Sequence, residues 1–127
     1  MGGRGSRAAG NNMPLSYKTV GKINGVKVLE GINGNHSLPV EARSSTAYIK
    51  LKPDGTFHEM RIYNNERYLV TEIAYHPESS LDGSRKNVLH IHEYKIPGDF
   101  SKESRTTRLL TKHEIEKYKP FLKGVKL

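Results

Sequence analysis

Between Ala47 and Tyr94 the chain is written in period two. The segments "AYIKLK", "FHEMRIY", "YLVTEIAYH" and "VLHIHEYK" alternate apolar with polar residues, and turn-forming stretches separate them: Pro53-Asp54-Gly55, then "NNER", then Pro77 with "ESSLDGSRKN". Such alternation sends one set of side chains to a buried face and the other set to the opposite face. Short turns between alternating segments join neighbours as antiparallel pairs. A four-stranded meander is the fold this pattern dictates.

The flanking segments are written differently. Asn24-Gly25 stands between the apolar stretches of "YKTVGKINGVKVLEGI", a signal for a two-residue hairpin turn, although residues 20–45 also leave room for a helix. After the strands, "LLTKHEIEKYKPFL" starts a helix at Thr111 with Glu114 three residues on as a capping box. Ile115, Tyr118 and Leu122 form its apolar stripe, and Pro120 ends or bends it. The opening "MGGRGSRAAGNN" has no hydrophobic period, so residues 1–15 are expected as a disordered tail and 16–127 as a single domain. The expected fold class is α+β: a four-stranded antiparallel sheet packed on one face by helix, with an N-terminal hairpin or helix. A chain of 127 residues supplies one modest core for it.

Composition removes several function classes. The absence of cysteine excludes disulfides, thiolate metal sites, zinc fingers and thiol nucleophiles. No apolar run reaches the length of a membrane span and the N-terminus lacks a secretory core, so an intracellular protein with no membrane partner is expected. The net charge of +8 points to an anionic partner. Lysine and arginine are spread along the chain rather than gathered in one block, which argues against a dedicated DNA-binding element. P-loop, GxSxG and HExxH signatures are missing.

Sorting the strands by face isolates a polar set. Ala47, Ile49, Leu51, Met60, Ile62, Leu69, Thr71, Ile73, Tyr75, Leu89 and Ile91 fall on the apolar side. Lys50, Glu59, Arg61, Glu72, His76, His90 and His92 fall on the other, with Tyr48, Tyr63 and Tyr94 expected as packing residues. Phe57 on the polar side and His58 on the apolar side break the pattern. A solvated face favours Lys, Glu and Thr and gains nothing particular from imidazole, so three histidines on one face point to function. His58 and His113 read as structural or surface residues.

Cleavage of RNA by its own 2'-hydroxyl needs a base for that proton, an acid for the leaving 5'-oxygen and a cation for the phosphate, with no metal or other cofactor. Here His90 or His92 is the candidate acid or base, Glu72 or His76 its complement, and Arg61 or Lys50 the phosphate ligand. One alternative is a metal site, with His90 and His92 as two imidazole ligands and His76 as a third. Cupin-type sites follow their HxH with a glutamate, a pattern that fails here because Glu93 faces the opposite way and Asp99 lies beyond Pro97. The other alternative is a non-catalytic phage structural or packaging-associated nucleic-acid-binding domain.

The segments "AYIKLKPDGTFHEMRIY", "VTEIAYHPE" and "VLHIHEYK", preceded by "NHSLPVEARSS", resemble the phage-borne and polymorphic-toxin nuclease domains of the barnase, EndoU, colicin and RelE-like superfamily. The likeness runs from about Val20 to Tyr94, and the "MGGRGS" start is similar to small phage proteins of Gram-positive bacteria. The resemblance implies helices against a four-stranded antiparallel sheet whose other face binds RNA, with metal-independent cleavage. It further implies a bacterial or phage-encoded protein that is cytoplasmic, virion-associated or delivered as a toxin, and is controlled by an immunity protein or phage partner. It adds His36 and Arg43, before the first strand of the meander, to Lys50, Arg61, Glu72, His76, His90 and His92. The chain departs from the barnase pattern in carrying its clearest helix at the C-terminal end.

Overall fold

The computed structural model describes residues 17–31, 38, 39, 42 and 45–127. The expected tail over 1–15, His36 and Arg43 lie outside them. Seven strands follow one another: β1 (Tyr17–Ile23), β2 (Val26–Gly31), β3 (Ala47–Leu51), β4 (Phe57–Tyr63), β5 (Leu69–His76), β6 (Val88–Tyr94) and β7 (Arg105–Leu109). They form one sheet in sequence order. Every pairing is antiparallel except that of β2 with β3, which is parallel through Lys27 opposite Tyr48 and Val28 opposite Ile49.

The four-stranded α+β expectation, barnase-like or RelE-like, is thereby overturned. The hairpin does not stand apart from the meander but extends it, and β7 extends it on the other side. Helix α1 (Lys112–Tyr118) is seven residues long with no buried residue, followed by a 3-10 turn over Lys119–Phe121. Two turns of helix are too short to cover a sheet of this width. The region 20–31 is hairpin strand, and its turn residues Asn24 and Gly25 both have positive φ, 47° and 84°, as a twist-matched hairpin requires.

Two cores form, one on each face. Ile49, Phe57, Met60, Ile73 and Ile91 build the second face with Val28, and Leu110 and Leu122 of the C-terminal segment complete it. That segment is clamped to the sheet where the Phe57 amide donates to the Lys123 carbonyl at 2.8 Å. Gly124 permits the approach, since φ there is +76° and a Cβ would stand 2.5 Å from the Thr56 methyl carbon. On the first face, Tyr17, Leu29, Tyr48, Tyr63, Leu69 and Tyr94 pack together with Leu38 and Ala42. The tyrosines of β3, β4 and β6 are thus core residues, as expected.

Two bulges explain where strict alternation fails. Lys50 pairs with Glu59 but Leu51 pairs with Phe57, so His58 is an extra residue in β4. That insertion turns the fully buried Phe57 into the second-face core and places His58 among the other histidines, removing both breaks in the sequence pattern. Likewise Ile62 pairs with Thr71 but Tyr63 with Leu69, so Val70 is extra and Leu69 joins the tyrosine cluster instead of the second face.

Candidate functional site

Register alone assembles the polar set. Tyr48, Arg61, Glu72, His92 and Thr107 lie across the sheet in one row, and Lys50, Glu59, Ala74, His90 and Leu109 in the next. Lys50, Glu59, Arg61, Glu72, His76, His90 and His92 are therefore brought onto one face, as expected.

The imidazoles form a continuous chain. Ring centroids are 5.8 Å apart for His58 and His76, 4.8 Å for His76 and His90, and 4.9 Å for His90 and His92, each pair edge-to-face. The chain runs from half-buried His58 and His76 to His90 and His92, which are 0% and 4% exposed. Backbone carbonyls set two of the tautomers. Nδ1 of His76 lies 2.8 Å from the Pro77 carbonyl and Nδ1 of His90 lies 2.7 Å from that of Val88. A carbonyl only accepts, so each Nδ1 carries the proton and each neutral ring keeps its lone pair on Nε2. His92 Nδ1 meets the Thr107 hydroxyl at 2.8 Å, which is able to donate or accept. Burial lowers the pKa of His90 and His92, more than Glu72 restores it for His92; burial, then Lys50, lowers that of His58.

Next to His92 lies a buried charge group. Arg61 Nε is 2.6 Å from Glu72 and 3.7 Å from Glu59, and its Nη1 donates to the Leu38 carbonyl while the guanidinium lies over Phe100. Burial pushes the Glu59 carboxyl up to about 8, helped by the Glu72 charge and the hydrogen bond between the two. Burial also works against the Glu72 charge, but Arg61 overrides it and holds that carboxyl down at about 2. The shorter contact to Arg61 explains which carboxyl keeps the proton. Glu72 then stays ionised with one oxygen 3.9 Å from His92 Nε2. Arg61 is committed to this group and positions Glu72. Lys50 is half-buried beside it, and Arg105, exposed on β7, lies within hydrogen-bonding reach of Tyr94.

Two participants escape a reading by alternation. His58 reaches the row only through the bulge. Glu78 follows Pro77 in the β5–β6 connection, where period two no longer applies, yet its Oε1 lies 3.8 Å from His90 Nε2. Its other oxygen accepts from the Ser80 hydroxyl at 2.9 Å, which aims the first one inward. The acid that approaches the histidine pair thus precedes it in sequence rather than following it. Glu93 is exposed and pairs with Arg108 at 3.1 Å.

No family model, no curated protein and no solved structure matches the chain.

Proposed function

We propose that the protein cleaves RNA by 2'-hydroxyl attack, with the histidine row as its acid and base groups and no metal in the chemical step. The observation that carries the reading is the unbroken imidazole row ending at the half-buried His76 and His58. His76 and His58 are half-buried and so present part of their rings at the surface, whereas His90 and His92 are buried. His76 has its Nδ1 proton on the Pro77 carbonyl and offers Nε2 as base for the 2'-hydroxyl. His58, one ring away, gives the leaving 5'-oxygen a proton from its imidazolium form, which burial and Lys50 make the scarcer form at neutral pH, while His76 takes the proton of the 2'-hydroxyl. Lys50, whose charge acts on His58, supplies positive charge at that end of the row.

RNA as substrate is supported by the net charge of +8, which favours a polyanion. The fold that the sequence resemblance to superfamily nucleases implies is not the one found, so the reading stands on the residues of this face. Replacing the base tests it. His76→Ala should lower the rate of RNA cleavage by about 10²–10⁴-fold, while His113→Ala, exposed on α1, should leave it unchanged. Equal rates for His76→Ala and the unaltered protein would remove the assignment.

A further inference from the structure

The Nε2 of His90 is an anomaly in an otherwise satisfied face. It is the one buried side-chain nitrogen or oxygen among the described residues without a hydrogen-bond partner, and the ring that carries it is 0% exposed. A buried polar atom left unpaired is unfavourable by about 1–3 kcal/mol, so its persistence calls for an occupant. The lone pair does not face apolar packing. It faces a carboxylate oxygen of Glu78, 3.8 Å away, and the ligand atoms of Glu78, His90 and His92 all lie within 4.8 Å of one another.

We infer that Glu78, His90 and His92 bind a divalent transition-metal ion of the zinc class. Four observations converge on this. Two neutral imidazoles and one carboxylate form the donor set of three-ligand zinc sites, and bonds of about 2.0–2.1 Å to a tetrahedral ion would separate donors by roughly 3.4 Å, against 3.8 Å between Glu78 and His90 and at most 4.8 Å for any pair here, a gap that a small side-chain adjustment closes. The outer shell is built: His90 donates Nδ1–H to the Val88 carbonyl, His92 meets the Thr107 hydroxyl, and Glu78 is steadied by Ser80. Metal-bound histidines are oriented in this way by partners on the far ring nitrogen. Imidazole donors exclude magnesium and calcium, which take oxygen. Finally, Glu72 carries negative charge beside His92 and balances an added cation.

The ion would tie the β5–β6 connection, through Glu78, to the centre of β6. This inference does not rest on the ribonuclease reading. None of the three ligands is His76 or His58, and binding is measured without RNA.

The test is titration of the full chain, freed of metal by chelation and dialysis, with cobalt(II) and separately with zinc(II) followed by calorimetry. The expected result is one equivalent bound per chain, with the intense visible absorption of low-coordinate cobalt displaced by zinc, and no response to magnesium. Glu78→Gln sits in a loop with its side chain 23% exposed, so the sheet should survive, as far-UV circular dichroism would check. Its affinity should fall at least about tenfold. His90→Asn should abolish the cobalt spectrum. Absence of saturable cobalt binding, or Glu78→Gln binding as tightly as the unaltered chain, would overturn the site.

Discussion

The Nε of Arg61 stands 2.6 Å from a carboxylate oxygen of Glu72, and both side chains are about nine-tenths buried. Such a pair is expensive to break from one side, because the surviving charge has neither water nor partner. Glu72→Ala should therefore destabilise the protein by about 3–5 kcal/mol, measured by urea unfolding at pH 7. A change below about 1 kcal/mol would mean that the guanidinium reaches solvent.

Glu59 makes the pH dependence specific. Its carboxyl titrates near 8 in the folded chain, against 4.5 for the ordinary group, so between those values the folded state holds a proton that the unfolded state has released. Stability from this group is complete below about 4.5 and is lost as pH rises to about 8. Glu59→Gln mimics the protonated form and still offers a donor to Glu72. The stability of the unaltered protein relative to Glu59→Gln should fall between pH 5 and pH 8 and level off above. A difference independent of pH would show that Glu59 is ionised throughout.

The bulge at His58 separates two neighbours energetically. Phe57 is fully buried in the second-face core, and Phe57→Ala should cost about 3–5 kcal/mol. His58→Ala, from the half-buried end of the histidine row, should lose much less. Reversal of that order in thermal unfolding would place the residues on the faces that uninterrupted alternation gives them.

Helix α1 is held by local chemistry. The Glu114 amide donates to the Thr111 hydroxyl at 3.2 Å, and the Glu114 carboxylate accepts from the Thr111 amide at 2.9 Å and from Arg108 at 2.7 Å. Thr111→Ala should cost about 1 kcal/mol. The Arg108 hydrogen bond holds the Glu114 carboxyl down at about 2, so its contribution is present above about 4.5 and fades as pH falls toward 2. Acid titration of the helical signal in Glu114→Gln, compared with the unaltered chain, reads this directly.

Local patterns made much of this legible. The alternation in β3 to β6, the Asn24-Gly25 turn and the Thr111 capping box each lie within a few residues, where periodicity and turn chemistry act. What escaped depends on distant pairing or broken period. β7 reads "RTTRL", with no apolar alternation, because as an edge strand it buries little. The parallel pairing of β2 with β3 joins residues twenty-one apart and leaves no local trace. Of the site, Lys50, Glu59, Arg61, Glu72, His76, His90 and His92 follow from alternation. His58 needed the bulge, and Glu78 sits past Pro77 where no strand period reaches it.

The central claim is that the histidine row cleaves RNA without a metal in the chemical step. Incubating the protein with a defined single-stranded RNA, with and without excess chelator, and weighing the products by mass spectrometry tests it most directly. The account predicts fragments ending in 2',3'-cyclic phosphate in both samples, because attack by the neighbouring hydroxyl leaves that terminus. RNA that stays intact, or cleavage that disappears with the chelator while far-UV circular dichroism shows the fold unchanged, would contradict it.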